Sequence, residues 1–227
     1  REPDLDGTPY MGYLSARAGL WSWNRNRITG YSLMVGVVGP DSGAQRSQEF
    51  VHDITGSTQP RGWENQLGAD TVGGMEVAHA RRFFSSGASG EREHDLSWFA
   101  SARAGNFVNN LRLGLAWRTG VHLPVNFVPD YSGISSAVGL PGTLDVSGSG
   151  WSLFAGIQAE YIPWFYLEEA SGPYDYEQRS LVGHAGGGVG WHKPGFQVRL
   201  TLRASTAQTR TRESSLSFGN IALTWRL

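Results

Sequence analysis

Residues 111–118 read LRLGLAWR, a run in which every second residue is large and apolar. Successive side chains of a β-strand point to opposite faces of a sheet. One face of this run would therefore carry three leucines and Trp117, and the other only arginine, glycine and alanine. Alternation of this kind predicts a β-strand with one apolar face and one small or polar face.

The same alternation recurs along the chain in segments of about 10 to 14 residues, separated by clusters that are typical of turns. The last segment, NIALTWRL at residues 220–227, is a second clear example. We predict an all-β protein with nine strands, near residues 9–22, 27–38, 72–85, 92–104, 107–120, 148–161, 177–192, 195–208 and 214–227.

Alternation alone does not separate a membrane barrel from a soluble β-sandwich or a lipocalin-like barrel, because each has one apolar and one polar face. Strand length and the aromatic residues near the strand ends, such as Trp151 and Trp191, favour an antiparallel transmembrane barrel of the outer membrane. Bacterial barrels have even strand numbers, so nine strands predict one missed strand or a chain that begins part-way through a barrel.

Composition excludes several other classes of protein. The absence of cysteine excludes disulfides, thiolate metal sites and a cysteine nucleophile. No run of about 18 apolar residues occurs, which excludes a transmembrane helix. The net charge of −1 offers no attraction for nucleic acid, although every basic side chain except Lys193 is an arginine.

The long connection at residues 39–71 carries the best candidate for chemistry. Ser42, followed three residues later by Gln45, matches a capping box and predicts a short helix. On that helix Gln45, Gln48 and His52 share one face. A histidine can take a proton from water near neutral pH, and a glutamine can orient that water or donate to an oxyanion. The competing interpretation is a histidine with a purely structural role.

Other candidates favour structural roles. The glycine-rich run 183–190 lies inside an alternating segment and lacks the lysine of a phosphate-binding loop. The remaining histidines considered lack metal-ligand spacing; they are His79, His94, His122 and His192. Six arginines share the polar faces of their strands and are expected to form an ion network with Glu76 and Glu160, or alternatively to hold phosphates near the rim. These six are Arg17, Arg103, Arg112, Arg118, Arg199 and Arg203.

The chain resembles the lipid A 3'-O-deacylase family. The resemblance rests on TPYMGYL at residues 8–14, GVVGP at 36–40, the spacing of Gln45, Gln48 and His52, and GWENQL at 62–67, which occur in the family's order. It implies a twelve-stranded outer-membrane barrel that hydrolyses the 3'-linked acyloxyacyl ester of lipid A, generally with calcium. Nine strands would then be present of an expected twelve, with the N-terminal strands absent from this chain.

The resemblance also implies roles for individual residues. His52 matches the general base that activates water, and Gln48 matches a polar residue beside it. Gln45 and Arg1 are expected to contact substrate. An Asn-Asp pair of the family is expected upstream of Arg1, and where some relatives have an acid six residues after the histidine, this chain has Thr58. The metal ligands stay unknown: Asp41, Asp53 and Glu76 are carboxylates that calcium could use, and none is assigned.

The sequence thus leads to one expectation with an alternative. We expect a single barrel domain at residues 1–227, in the bacterial outer membrane, with an extracellular loop at 39–71 that carries the site. It would act as a monomeric lipid A 3'-O-deacylase, with lipid A or lipopolysaccharide as substrate, membrane lipids as surroundings and no nucleic-acid partner. The alternative is a structural or pore-forming outer-membrane barrel without enzymatic activity.

Overall fold

A computed structural model describes residues 9–88, 90–128, 143–172, 174–210 and 215–226. Nine strands account for most of them. Their bounds are β1 Tyr13–Trp23, β2 Arg27–Val38, β3 Asp70–Ser86, β4 Glu93–Gly105, β5 Val108–Gly120, β6 Gly150–Phe165, β7 Leu181–Lys193, β8 Phe196–Ser205 and β9 Leu216–Trp225. Two α-helices lie in the connections, α1 at Ala44–Thr55 and α2 at Tyr166–Ala170.

All nine strands form one antiparallel sheet in which each strand is hydrogen-bonded to its neighbours in sequence. The predicted all-β barrel architecture is confirmed, and each predicted strand lies on an observed one. Consecutive connections alternate between two ends of the sheet. We call the end with the β2–β3 connection and α1 the helix end, and the end with the β5–β6 connection the plug end. The single domain predicted for residues 1–227 stays a prediction.

The two faces of the sheet have opposite character. Leu113 and Leu202 are 61% and 63% exposed, and they belong to a large set of exposed apolar side chains. In β5 the alternation is complete: residues 111, 113, 115 and 117 are exposed, whereas residues 112, 114, 116 and 118 are buried. An apolar face of this extent costs free energy in water and is stable against lipid. In the part of the chain that the structure describes, no helix is long and apolar enough to cross a membrane.

Ion pairs and charged hydrogen bonds, buried around Glu160 and partly exposed around Glu76, lie on the inner face near the helix end. Glu76 accepts hydrogen bonds from Arg17 and Arg103, each at 2.8 Å. Glu160 pairs with Arg112 at 2.9 Å and with His184 at 3.0 Å. We call this group the charge belt, and its members are Arg17, Glu76, Arg103, Arg112, Glu160, His184 and Arg203. Each lies in the half of its strand nearer to the helix end, so the belt links neighbouring strands at that end of the sheet.

The protonation of His184 follows from its two partners. Arg203 Nη2 lies 2.9 Å from His184 Nδ1, and a guanidinium can only donate. His184 Nδ1 is therefore the acceptor, and Nε2 carries the hydrogen donated to Glu160. A chain of hydrogen bonds thus crosses β8, β7, β6 and β5 without a break. The ion network expected for six arginines is present for Arg17, Arg103 and Arg112, and Arg203 joins it through His184. Arg118 pairs instead with Asp95 at 2.6 Å, and Arg199 lies over the Phe154 ring at 5.5 Å.

The start of the β5–β6 connection, residues 121–128, folds into the concave side of the sheet, and we call it the plug. Arg118 donates to the carbonyls of Asn126 and Pro124, at 2.5 and 3.2 Å, and Arg82 donates to that of Val125 at 3.1 Å. Phe127 is fully buried and belongs to one cluster with inner-face residues of five strands, namely Ile28, Ala80, Phe99, Ala116 and Phe154. Because five consecutive strands contribute to one cluster, the sheet is curved.

Large aromatic rings on the inner face lie over glycines of the adjacent strand. Phe99 pairs with Gly114 and Phe154 pairs with Gly188. A Cβ atom built on Gly114 would lie 2.2 Å from the Phe99 ring, and one built on Gly188 would lie 2.7 Å from the Phe154 ring. Both distances are too short for a side chain unless the ring moves. These glycines are therefore needed for close packing. The run at residues 183–190 belongs to β7, as predicted, and does not form a phosphate-binding loop.

Candidate active site on helix α1

Helix α1 begins differently from the sequence prediction. The prediction of a capping box formed by Ser42 and Gln45 is wrong. The residue before the helix is Gly43, which has a φ of 68° and provides no side-chain cap. Ser42 ends a preceding 3-10 turn, Pro40–Ser42, where its hydroxyl donates to the Gly39 carbonyl at 2.7 Å. Because that turn takes up Ser42, the helix starts one residue later than a Ser42 cap would allow.

His52 lies half-buried on α1, one turn from its end. Its Nδ1 lies 2.6 Å from the backbone carbonyl oxygen of Thr58. A carbonyl can only accept, so Nδ1 carries the hydrogen, and in the neutral ring Nε2 holds the lone pair. This is the tautomer that a general base needs.

Gln48 is connected to the block at residues 62–67. The indole Nε1 of Trp63 donates to Gln48 Oε1 at 2.9 Å, and the buried Trp63 ring meets Tyr10 edge to face at 5.3 Å between centroids. Trp63 uses one of the two lone pairs of this oxygen, and the amide N–H groups of Gln48 are the donors that it can offer to a ligand. The block at 62–67 therefore has an observed structural role, which is to hold α1 and its glutamine.

Gln45 is paired within the helix. Its Nε2 donates to Glu49 Oε1 at 2.9 Å, one turn further along. Glu49 is half-buried and precedes His52 by three residues, so it adds a carboxylate to the helix face that carries the histidine. Sequence reasoning missed Glu49, although its i, i+3 spacing to His52 was a usable signal. Arg1, the other expected substrate contact, lies outside the described residues.

The block beside the helix also contains a perturbed carboxyl. Backbone N–H groups, first that of Glu64 itself and then that of Gly62, lower the pKa of Glu64 against the opposing effect of desolvation. Gly62 N–H donates to Glu64 Oε2 at 3.1 Å. Across the helix end, Tyr174 donates its hydroxyl to the Asn65 carbonyl at 3.2 Å. The block is thus held from several sides.

The carboxylates considered for calcium do not meet. Asp53 accepts a short hydrogen bond from Gln59, and Glu76 is committed to arginines in the charge belt. Asp41 lies exposed in the 3-10 turn. Among the described residues no group of three or more histidines, aspartates or glutamates is placed to hold a metal ion. Since calcium requires six to eight oxygen ligands, these residues do not by themselves form a calcium site.

Comparison with known proteins identifies the family. The model of the family described as "Outer membrane protein LpxR" matches residues 1–227. The chain belongs to this family. The resemblance noted in the sequence is thereby confirmed, and so is the outer membrane as the location of this LpxR-family protein.

A solved structure shows the same fold. The structure described as LpxR from Salmonella typhimurium superimposes with a TM-score of 0.87 at 19% sequence identity, over 100% of this chain and 76% of that one. No curated protein matches the chain. At this identity the likeness establishes the barrel fold of this LpxR-family protein, and its chemistry has to be argued from its own residues.

Proposed function

We propose that this protein is an outer-membrane ester hydrolase that removes the 3'-linked acyloxyacyl group of lipid A, with His52 as the general base. The observation that carries the proposal is the hydrogen bond from His52 Nδ1 to the Thr58 carbonyl, because it leaves Nε2 ready to accept a proton. That the substrate is lipid A is inferred from the family to which the chain belongs.

The reaction needs no nucleophilic side chain. Water attacks the ester carbonyl while its proton passes to His52 Nε2, and the carbonyl oxygen becomes an oxyanion. The imidazolium then returns the proton to the departing sugar oxygen as the C–O bond breaks. The products are the free acyloxyacyl acid and a hydroxyl on the sugar. The amide N–H groups of Gln48 supply one source of hydrogen bonds to the oxyanion, while Gln45 and Arg1 are proposed substrate contacts.

The arrangement of the sheet supports entry of the substrate into the site sideways from the membrane. The outer face is apolar, which suits a lipid substrate that stays in the membrane and presents its ester at the helix end. The alternative, a pore-forming barrel, gains no support from the described residues. The plug is clamped to Arg82 and Arg118, and Phe127 is fully buried in the cluster on the concave side of the sheet.

The test of the activity is mass spectrometry of lipid A. Purified protein in detergent, incubated with hexa-acylated lipid A, is expected to release the mass of the 3' acyloxyacyl group and leave the other acyl chains in place. The control is the same incubation with protein that was heat-denatured beforehand. Unchanged lipid A after long incubation with folded protein would overturn the proposed activity.

Calcium is a separate proposal, because the described carboxylates do not form its site. If the ion is required, chelation with EDTA is expected to abolish release of the acyl group, and added Ca²⁺ is expected to restore it, whereas Mg²⁺ is not, since it demands shorter octahedral coordination. The measurement is the initial rate of release in each condition. A rate that is the same with and without EDTA would remove calcium from the proposal.

A further inference from the structure

The segment that follows α1 folds back along the helix, and we call residues 56–59 the strap. Gly56, with φ 66° and ψ 21°, ends the helix in the left-handed region that glycine adopts at little cost. The N–H groups of Gly56 and Ser57 both donate to the His52 carbonyl. This reversal brings the Thr58 carbonyl to His52 Nδ1.

The strap is anchored by one side chain. Gln59 Nε2 donates to Asp53 Oδ1 in a short hydrogen bond and also reaches the backbone carbonyl of Glu49 at 3.4 Å. An amide group has two hydrogens, so both acceptors can be served together. Asp53 and Glu49 lie on α1, which means that Gln59 ties the strap to the helix on either side of the turn that bears His52.

The link from Gln59 to His52 is short. The Thr58 carbonyl and the Gln59 N–H belong to the same planar peptide group. Anchoring the Gln59 side chain therefore restricts the orientation of the carbonyl that holds His52. The Thr58 side chain forms no part of this chain of contacts, so a carboxylate at position 58 is not needed to orient the histidine.

We propose that Gln59 and Asp53 are positioning residues that hold His52 in its Nδ1–H tautomer through the Thr58 carbonyl. The inference deepens the proposed hydrolysis, on which its kinetic consequence rests, and it assigns a role to two polar residues that the reaction itself does not use. A histidine without this acceptor distributes its hydrogen between the two ring nitrogens, and one of the two forms has no lone pair at Nε2.

The test compares replacements at position 59. Gln59→Ala and Gln59→Glu remove the donor, and each is expected to lower kcat by about 10-fold to 100-fold with little change in KM, because the base is misoriented and substrate contacts are untouched. Gln59→Lys keeps a donor that can reach Asp53 and is expected to recover most of the lost rate. Ser47→Ala is the control, since it removes a comparable helix-borne hydrogen bond, to the Gly43 carbonyl, away from the strap.

A second measurement does not depend on activity. Nitrogen-15 NMR of the histidine rings in detergent micelles, with His52 assigned by its absence in His52→Asn, reports which ring nitrogen carries the hydrogen. The Nδ1–H form is expected in the unaltered protein and in Gln59→Lys, and a mixture with the Nε2–H form is expected in Gln59→Ala. An unchanged His52 tautomer in Gln59→Ala would overturn the positioning role, whatever the outcome of the lipid A assay.

Discussion

Replacing His52 by asparagine is expected to lower kcat for release of the 3' acyloxyacyl group by about 10²-fold to 10⁴-fold, the range over which general bases contribute to catalysis. Asparagine keeps a polar side chain of similar reach, so α1 and the Thr58 contact can persist while the base is lost. KM is expected to change little, because the loss falls on proton transfer in the transition state. The rate is measured by mass spectrometry of lipid A.

A matched replacement at the plug end provides the control. His122 is held by Ser147 at 2.8 Å and has a φ of 51°, a backbone conformation that asparagine tolerates. His122→Asn therefore makes the same chemical change outside the proposed site, and its rate is expected to equal that of the unaltered protein. Equal rates for His52→Asn and His122→Asn would exclude His52 as the base.

Replacing Glu160 by glutamine is expected to lower the free energy of unfolding by about 3–5 kcal/mol, the cost of breaking a buried ion pair by removing one partner. Glu160 accepts from Asn110 at 2.6 Å, from Arg112 at 2.9 Å and from His184 at 3.0 Å. All three partners are donors, so the amide NH₂ of a glutamine has to face at least one of them, and Arg112 loses its strongest counter-charge. Urea titration in detergent micelles, followed by tryptophan fluorescence, measures the change.

The same glutamate-to-glutamine replacement at an exposed ion pair separates the effect of burial on stability from the effect of losing a charge. Glu177 lies 3.6 Å from Arg210, and both side chains are more than half exposed. Exposed pairs contribute between zero and about 1 kcal/mol, so Glu177→Gln is expected to leave the unfolding midpoint nearly unchanged. A midpoint for Glu160→Gln as high as that for Glu177→Gln would show that the charge of Glu160 adds nothing to stability.

Most of the fold was predictable because strand formation is encoded locally. A period of two in β5, repeated in eight other segments, follows from the geometry of a strand and needs no knowledge of its partners. The arginines on the polar faces were likewise readable, since Arg112 and Arg203 alternate with leucines. The partners of these arginines were only partly predictable. Asp95, which pairs with Arg118, and His184, which accepts from Arg203, lie on strands whose register cannot be read from the sequence.

The candidate site was likewise predictable from the sequence only in part. Helical spacing was enough to bring Gln45, Gln48 and His52 onto one face. The capping box was wrong because a 3-10 turn, favoured by Pro40 and by a glycine of positive φ on either side, uses Ser42 first.

Only the tertiary structure decided the state of His52. Its tautomer depends on a carbonyl six residues away, brought back by the left-handed Gly56 and held by Gln59. Backbone carbonyls are the same in every residue, so no pattern of side chains in the sequence predicts which carbonyl will contact a histidine. Alternation therefore sufficed for the barrel, whereas the chemistry of α1 required the path of the chain beyond it.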